Sequence, residues 1–121
     1  MDILSYRDLQ VWQRAMDLAV ECYELTKSFP RSETYGLISQ LQRAAVSVPS
    51  NIAEGRARQH SREFLQHISI AYGSLAEVET LIQIAVRLNY VPSPKGDEVL
   101  GKTAEIGRML NGLRSSIKDK V

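Results

Sequence analysis

Between Gln40 and Glu54 the chain sets out five different polar side chains at helical spacing: Gln40, Arg43, Ser47, Asn51 and Glu54. At about 100° per residue they fall within an arc of roughly 80°. Beside them runs an apolar arc of Leu37, Leu41, Ala44, Ala45, Val48 and Ile52. A surface helix needs no ordered line of amide, guanidinium, hydroxyl and carboxylate next to its buried edge. Such a line supplies the donors and acceptors for a structural polar network, a small-ligand site or a contact with a second subunit. At a partly buried interface, Arg43 and Glu54 would each need a partner.

A second set follows at once. Arg56, Arg58, His60 and Arg62 crowd into a few positions, with Arg43 some three turns earlier. Grouped cations suit a phosphate backbone. The plainer reading is a solvated loop whose arginines satisfy helix-end carbonyls and pair with Glu54 or Glu63.

Catalytic chemistry is harder to assemble. His60 and His67 are seven residues apart, about 10 Å along a helix axis, too far to share one metal. Carboxylates do not recur at Glu-x-x-His spacing on two helices, as a di-iron bundle needs. No glycine-rich phosphate loop precedes a helix. Cys22 sits among apolar positions as a buried filler rather than a nucleophile. Ser47, Asn51 and Glu54 suggest a hydrolase only if a histidine stands close, and none does along the chain. The expectation is a protein without catalytic activity, cofactor or metal.

The elements that position these groups are legible from periodicity. Val11, Ala15, Leu18, Cys22, Leu25 and Phe29 mark a first helix, stopped by Pro30. Ser32 is the expected N-cap of the second, with Glu33 in its first turn. A break is expected from Gly55 to His60, after which Ser61 caps a third helix with the seam Phe64, Ile68, Ala71, Leu75, Val78, Ile82 and Ala85. Val91-Pro92-Ser93-Pro94 breaks the chain again. Ser93 or Asp97 starts a fourth helix with the seam Val99, Thr103, Ile106, Leu110, Leu113 and Ile117. Strand-like alternation, solenoid repeats and low-complexity segments are absent from the sequence.

Four helices of roughly 20–28 residues on short loops predict an all-α, up-down-up-down antiparallel four-helix bundle, one domain over residues 1–121. Small residues at Ala71, Gly73, Ser74 and Ala76 would let another helix approach closely. Gly101, Gly107 and Gly112 weaken the last helix by up to about 1 kcal/mol each relative to alanine. Pro49 removes a backbone donor inside the second helix. Either the helix kinks there and the polar line stays in register, or it stops near Ser47, restarts, and loses that register.

Two helices carry more apolar surface than one bundle edge requires. Leu81, Ile84 and Leu88, with Ile70 in line, flank the seam of the third; Trp12, Met16, Ala19 and Tyr23 flank that of the first. Either the core is thick, or copies of the chain associate and bury these flanks.

Composition narrows the rest. The 121 residues are 44% hydrophobic and 24% charged, an ordinary globular balance. Fifteen basic against fourteen acidic residues leave a net charge of +1, so no general affinity for nucleic acid or anionic membrane follows from charge alone. With one cysteine there is no intrachain disulfide, and a reducing compartment fits. The first residues lack the basic start and apolar run of a signal peptide, and nothing approaches a membrane span. The expected location is the cytoplasm.

The residues of Leu9–Met16, Phe29-Pro30, Glu33, Tyr35-Gly36-Leu37 and Gln40 through Gly55 resemble the bacterial four-helix-bundle family of 23S rRNA intervening-sequence proteins. Ser61, Glu63-Phe64, Ile70 through Glu77, and Met109-Leu110-Asn111-Gly112-Leu113 continue the match. Arg43 through Gly55 is its most specific stretch. The resemblance implies a homopentameric ring and no known enzyme activity. Some relatives are encoded within insertions in 23S rRNA genes. A related subgroup comprises the accessory variability proteins of diversity-generating retroelements, whose basic pentamers bind nucleic acid and a reverse transcriptase. This chain departs from that subgroup in being nearly balanced in charge.

The functional expectation is therefore a homo-oligomeric binding or scaffolding module. It contacts RNA or DNA through Arg43, Arg56, Arg58, His60 and Arg62. The alternatives are a small-molecule-binding protein using the polar line, and a protein–protein adaptor with a separate protein partner.

Overall fold

The structure, a computed structural model, describes residues 5–119. Four helices follow one another: α1 (Gln10–Thr26), α2 (Leu37–Ala57), α3 (Ser61–Arg87) and α4 (Ser93–Lys118). Short 3-10 turns at Tyr6–Asp8 and Arg31–Glu33 precede α1 and α2, and no strand occurs among the described residues. Each helix packs on its chain neighbours and α1 closes on α4, while the backbones of the diagonal pairs stay farther apart. This is the expected antiparallel four-helix bundle.

The periodic positions are the buried ones. Ala15, Cys22, Leu41, Ala45, Val48, Ile52, Ile68, Ala71, Val78, Ile82, Ala85, Val99 and Leu110 are wholly enclosed. One apolar stripe per helix, repeating near 3.6 residues, can reach water only if the helices separate. Leu81 and Ala19, expected on the surplus flanks, also belong to this core. Their side chains fill the bundle's own interior, so the surplus is smaller than the sequence implied. Ile70, Ile84, Leu88, Met16 and Tyr23 do remain exposed.

Several local expectations change. Ser32 does not cap α2. It lies in the 3-10 turn, and α2 begins after Gly36. The first-turn donor is satisfied from outside, as Leu37 N–H donates to Glu33 Oε1 at 3.1 Å. Tyr90 Oη–H donates to the other carboxylate oxygen of Glu33 at 3.0 Å, tying the α1–α2 connection to the α3–α4 connection. The break expected from Gly55 is shorter, because α2 continues to Ala57. Only residues 58–60 connect it to α3, turned by Gln59 at φ 63°. His60, not Ser61, occupies the N-cap position of α3, and its side chain makes no capping bond. α1 has 17 residues and is shorter than expected.

Pro49 lies within an unbroken α2. It leaves the Ala45 carbonyl without its helical donor, but its buried ring lines the α1-facing side of α2 beside Met16 and Trp12. Because the helix does not restart, the polar line from Gln40 to Glu54 keeps its register.

Packing is uneven around the bundle. α2 and α3 form the closest pair, α1 and α4 the loosest. Gly55 and the serines Ser47 and Ser74 lie where α2 and α3 meet. Gly73 faces open space and Ala76 is exposed, so neither assists a close approach.

The looser α1–α4 contact is held by charge. Glu21 receives Lys102 Nζ at 3.0 Å and Lys95 Nζ at 3.3 Å, and Arg14 pairs with Glu105. The Glu21 side chain is only 19% exposed. Burial pushes its carboxyl up, but the bonds and charges of Lys102 and Lys95 outweigh burial and hold it below the ordinary value of 4.5. A carboxyl depressed in the fold stabilises at higher pH and loses that contribution as pH falls through its folded value. Glu21→Gln should therefore cost about 1 kcal/mol at pH 7. The gap from wild type should narrow progressively below pH 4.5. Urea unfolding at pH 7 and pH 3.5 measures both, and a gap independent of pH would refute the clamp.

Candidate functional site

The polar line of α2 meets α3 in a continuous ladder. Ser47 Oγ and Ser74 Oγ are 2.8 Å apart. Asn51 Nδ2 donates to Ser47 O at 2.9 Å and to Ser47 Oγ at 3.0 Å. A carbonyl oxygen only accepts, so this fixes the Asn51 amide with Oδ1 toward α3. There His67 Nδ1 lies 3.0 Å from Oδ1 and must be the donor. The other ring nitrogen faces Glu54 Oε2 at 3.9 Å, beyond hydrogen-bond length. Glu54 is held instead by Arg58 Nη2 at 2.9 Å, and Arg58 also lies 3.8 Å from Glu63. The Arg58 bond keeps the Glu54 carboxyl below the usual carboxylate range.

His67 corrects the sequence reading, which found no histidine near Ser47, Asn51 and Glu54. It stands sixteen residues from Asn51 in the chain and reaches it only because the helices run antiparallel. Ser74 was missed as a polar partner for the same reason. For His67 a signal existed: across the three-residue turn centred on Gln59, Asn51 and His67 are each eight residues away. The ladder is not a hydrolytic arrangement, because His67 donates to an amide and bonds no hydroxyl.

The remaining residues of the line make none of the ladder's hydrogen bonds but adjoin its Ser47–Ser74 rung. Gln40 and Arg43 are exposed and line a groove of about 350 Å³ with Ala44, Ser47, Ser74 and Glu77. Arg43 makes no ion pair among the described residues and lies about 20 Å along α2 from Arg56. Arg56, Arg58, His60 and Arg62 gather at the α2–α3 turn. Arg114 and Lys118 near the end of α4 share that end of the bundle. Of the arginines and lysines in this group only Arg58 is in an ion pair among the described residues. Arg56 lies over the Phe64 ring at 6.0 Å, and Arg114 over the Tyr72 ring at 4.9 Å.

An apolar groove of about 510 Å³ runs between α1 and α2, lined by Tyr6, Trp12, Met16, Val20, Tyr23, Val46 and Pro49 among others. Tyr6 and Trp12 meet edge to face at 5.2 Å. Val20 is 63% exposed there. Cys22 is enclosed in the core, and burial pushes its thiol up to about 12, so it holds no thiolate at neutral pH. Among the described residues no group of three or more His, Cys, Asp or Glu is placed to hold a metal, and no helix is long and apolar enough to cross a membrane.

Fold and seam together define an all-α four-helix-bundle protein whose second and third helices are joined by a polar ladder. The chain belongs to the 23S rRNA-intervening sequence protein family, whose model matches residues 7–112. It is also similar to a solved protein of unknown function from the S23 ribosomal protein family of Bacteroides thetaiotaomicron. The two superpose with a TM-score of 0.80 over 86% of this chain and 97% of that one, at 21% identity, a likeness that carries the fold alone. No curated protein matches the chain. The family and the solved neighbour are of unknown function, and no catalytic family is indicated.

Proposed function

We propose that this protein is a non-catalytic, cytoplasmic binding module that assembles as a homo-oligomer and presents its α2–α3 ends to the backbone of RNA or DNA. The observation that carries the reading is a group of cations at that end that are in no ion pair among the described residues: Arg56, Arg62, Arg114 and Lys118, with His60 between the first two. At the opposite end Lys27, Lys95 and Lys102 are each paired with a glutamate, and Arg31 and Arg87 are the cations there in no ion pair among the described residues, so the excess lies toward the α2–α3 end although the net charge is only +1. Few phosphate contacts per copy give weak binding, and repetition of the same end in a ring multiplies them. A homopentamer is the assembly the family resemblance favours. The open α1–α2 groove and the exposed Ile70, Ile84 and Leu88 of α3 are apolar surface that association would cover.

Sedimentation and filter binding at several salt concentrations test the two halves together. The wild type is expected to sediment as several copies, and Val20→Asp as fewer. RNA affinity should fall with salt, and Arg56→Ala/Arg62→Ala should reduce the slope of log affinity against log salt by at least about two. Arg58→Ala should do less, since Arg58 is already held by Glu54 and Glu63. A single-chain species at micromolar concentration, or binding indifferent to salt, overturns the corresponding half.

A second reading has its own observation. In the groove shared by Gln40, Arg43, Ser47, Ser74 and Glu77, a guanidinium and a carboxylate both line the walls without pairing with each other. That arrangement suits a small zwitterion, and a thermal-shift screen of amino acids that finds no stabilising compound rejects it.

A further inference from the structure

We infer that the α2–α3 end takes unpaired nucleobases, and thus binds single-stranded nucleic acid in preference to a duplex; this rests on the proposed function and deepens it. The observation is how the arginines there are held. Arg56 of α2 lies over Phe64 of α3, and Arg114 of α4 lies over Tyr72 of α3. The two rings are eight residues apart on α3, about 12 Å along its axis, a span that neighbouring nucleotides of an extended strand can bridge. One of these contacts sits on the α2–α3 edge and the other on the α3–α4 edge of the same end.

A guanidinium held near a ring by cation–π attraction does not need a carboxylate to place it, and an arginine so placed can itself take a further planar group. Bases offer a planar face only when unpaired and unstacked from their neighbours. Duplex backbones need point charges, which lysines supply as well as arginines. The opposite end shows the contrast: Lys27, Lys95 and Lys102 are bound to glutamates, and Arg31 and Arg87 lie on no ring among the described residues. Asn111 Nδ2 lies 3.5 Å from the Tyr72 hydroxyl, and the Asn111 amide oxygen accepts from Arg114, so Arg114 is held by Asn111 as well as by the ring.

Fluorescence anisotropy with the full chain tests this. Labelled 12-nucleotide single-stranded RNA, single-stranded DNA, a DNA duplex and an abasic DNA strand of the same length are compared at one salt concentration. Both single strands are expected to bind about tenfold or more tighter than the abasic strand, and tighter than the duplex. Stronger binding of the RNA than of the DNA strand would assign the 2′-hydroxyl a part, and equal binding would assign the preference to stacking alone; either supports the inference. Arg56→Lys/Arg114→Lys keeps the charge and removes the planes, so it should lower single-strand affinity about tenfold and leave abasic binding unchanged. Equal affinity for the duplex or the abasic strand overturns base stacking while leaving backbone binding in place. Absence of binding to all four overturns the backbone reading as well.

Discussion

Gly55→Val is expected to destabilise the bundle by about 3 kcal/mol. A Cβ at position 55 would stand 2.6 Å from His67 Cβ and 3.1 Å from Phe64 Cδ1. The first of these atoms is fixed to the α3 backbone and cannot swing aside, so α3 must move away from α2. That movement stretches the Asn51–His67 bond as well. Alanine at the same position gains up to about 1 kcal/mol of helix propensity but meets the same clash, and should still be a net loss. Gly101 and Gly112 of α4 provide the opposite case, because a Cβ there meets nothing within 4 Å. Gly101→Ala and Gly112→Ala should each stabilise by about 0.5–1 kcal/mol. Urea denaturation of the four variants measures the contrast. A neutral Gly55→Val would mean that α2 and α3 are not in close contact at this point.

Asn51→Leu is expected to cost about 2–3 kcal/mol, and adding His67→Leu should restore much of it. The single exchange removes the acceptor of His67 Nδ1, whose side chain is only 16% exposed, and one of the donors to Ser47 Oγ. A half-buried ring N–H without a partner carries a desolvation penalty of about 1–3 kcal/mol, whereas replacing both members by apolar groups of similar shape comes near to neutral. A double-mutant cycle on thermal or chemical unfolding isolates the coupling, expected at 1 kcal/mol or more by the same reasoning. Additive costs would show that the ladder is two unrelated contacts.

The two seams differ in what they ask of the sequence. Along α1 to α4, nearly every residue assigned to an apolar seam is enclosed, from Val11 to Ile117. That outcome depends only on each helix keeping one face from water, which periodicity encodes locally. Helix ends were less legible. Ser32 and Ser61 are good capping residues, yet Glu33 and the turn around Gln59 took over, because the positions of the neighbouring helices decide where each helix may start. Leu81 and Ala19 looked like surplus for a related reason, since periodicity assigns a face without telling how wide the neighbouring helices cover it.

By itself the sequence determined the helical class, the antiparallel order, the core stripes and the collinearity of Gln40, Arg43, Ser47, Asn51 and Glu54, all consequences of spacing within one helix. Only the tertiary structure decided that Ser47, Asn51 and Glu54 face His67 and Ser74 while Gln40 and Arg43 line a groove that adjoins the Ser47–Ser74 rung. It also decided that Arg56 and Arg114 lie on aromatic rings. Those pairings join residues on different helices, and their geometry is set by the register and separation at which the cores close.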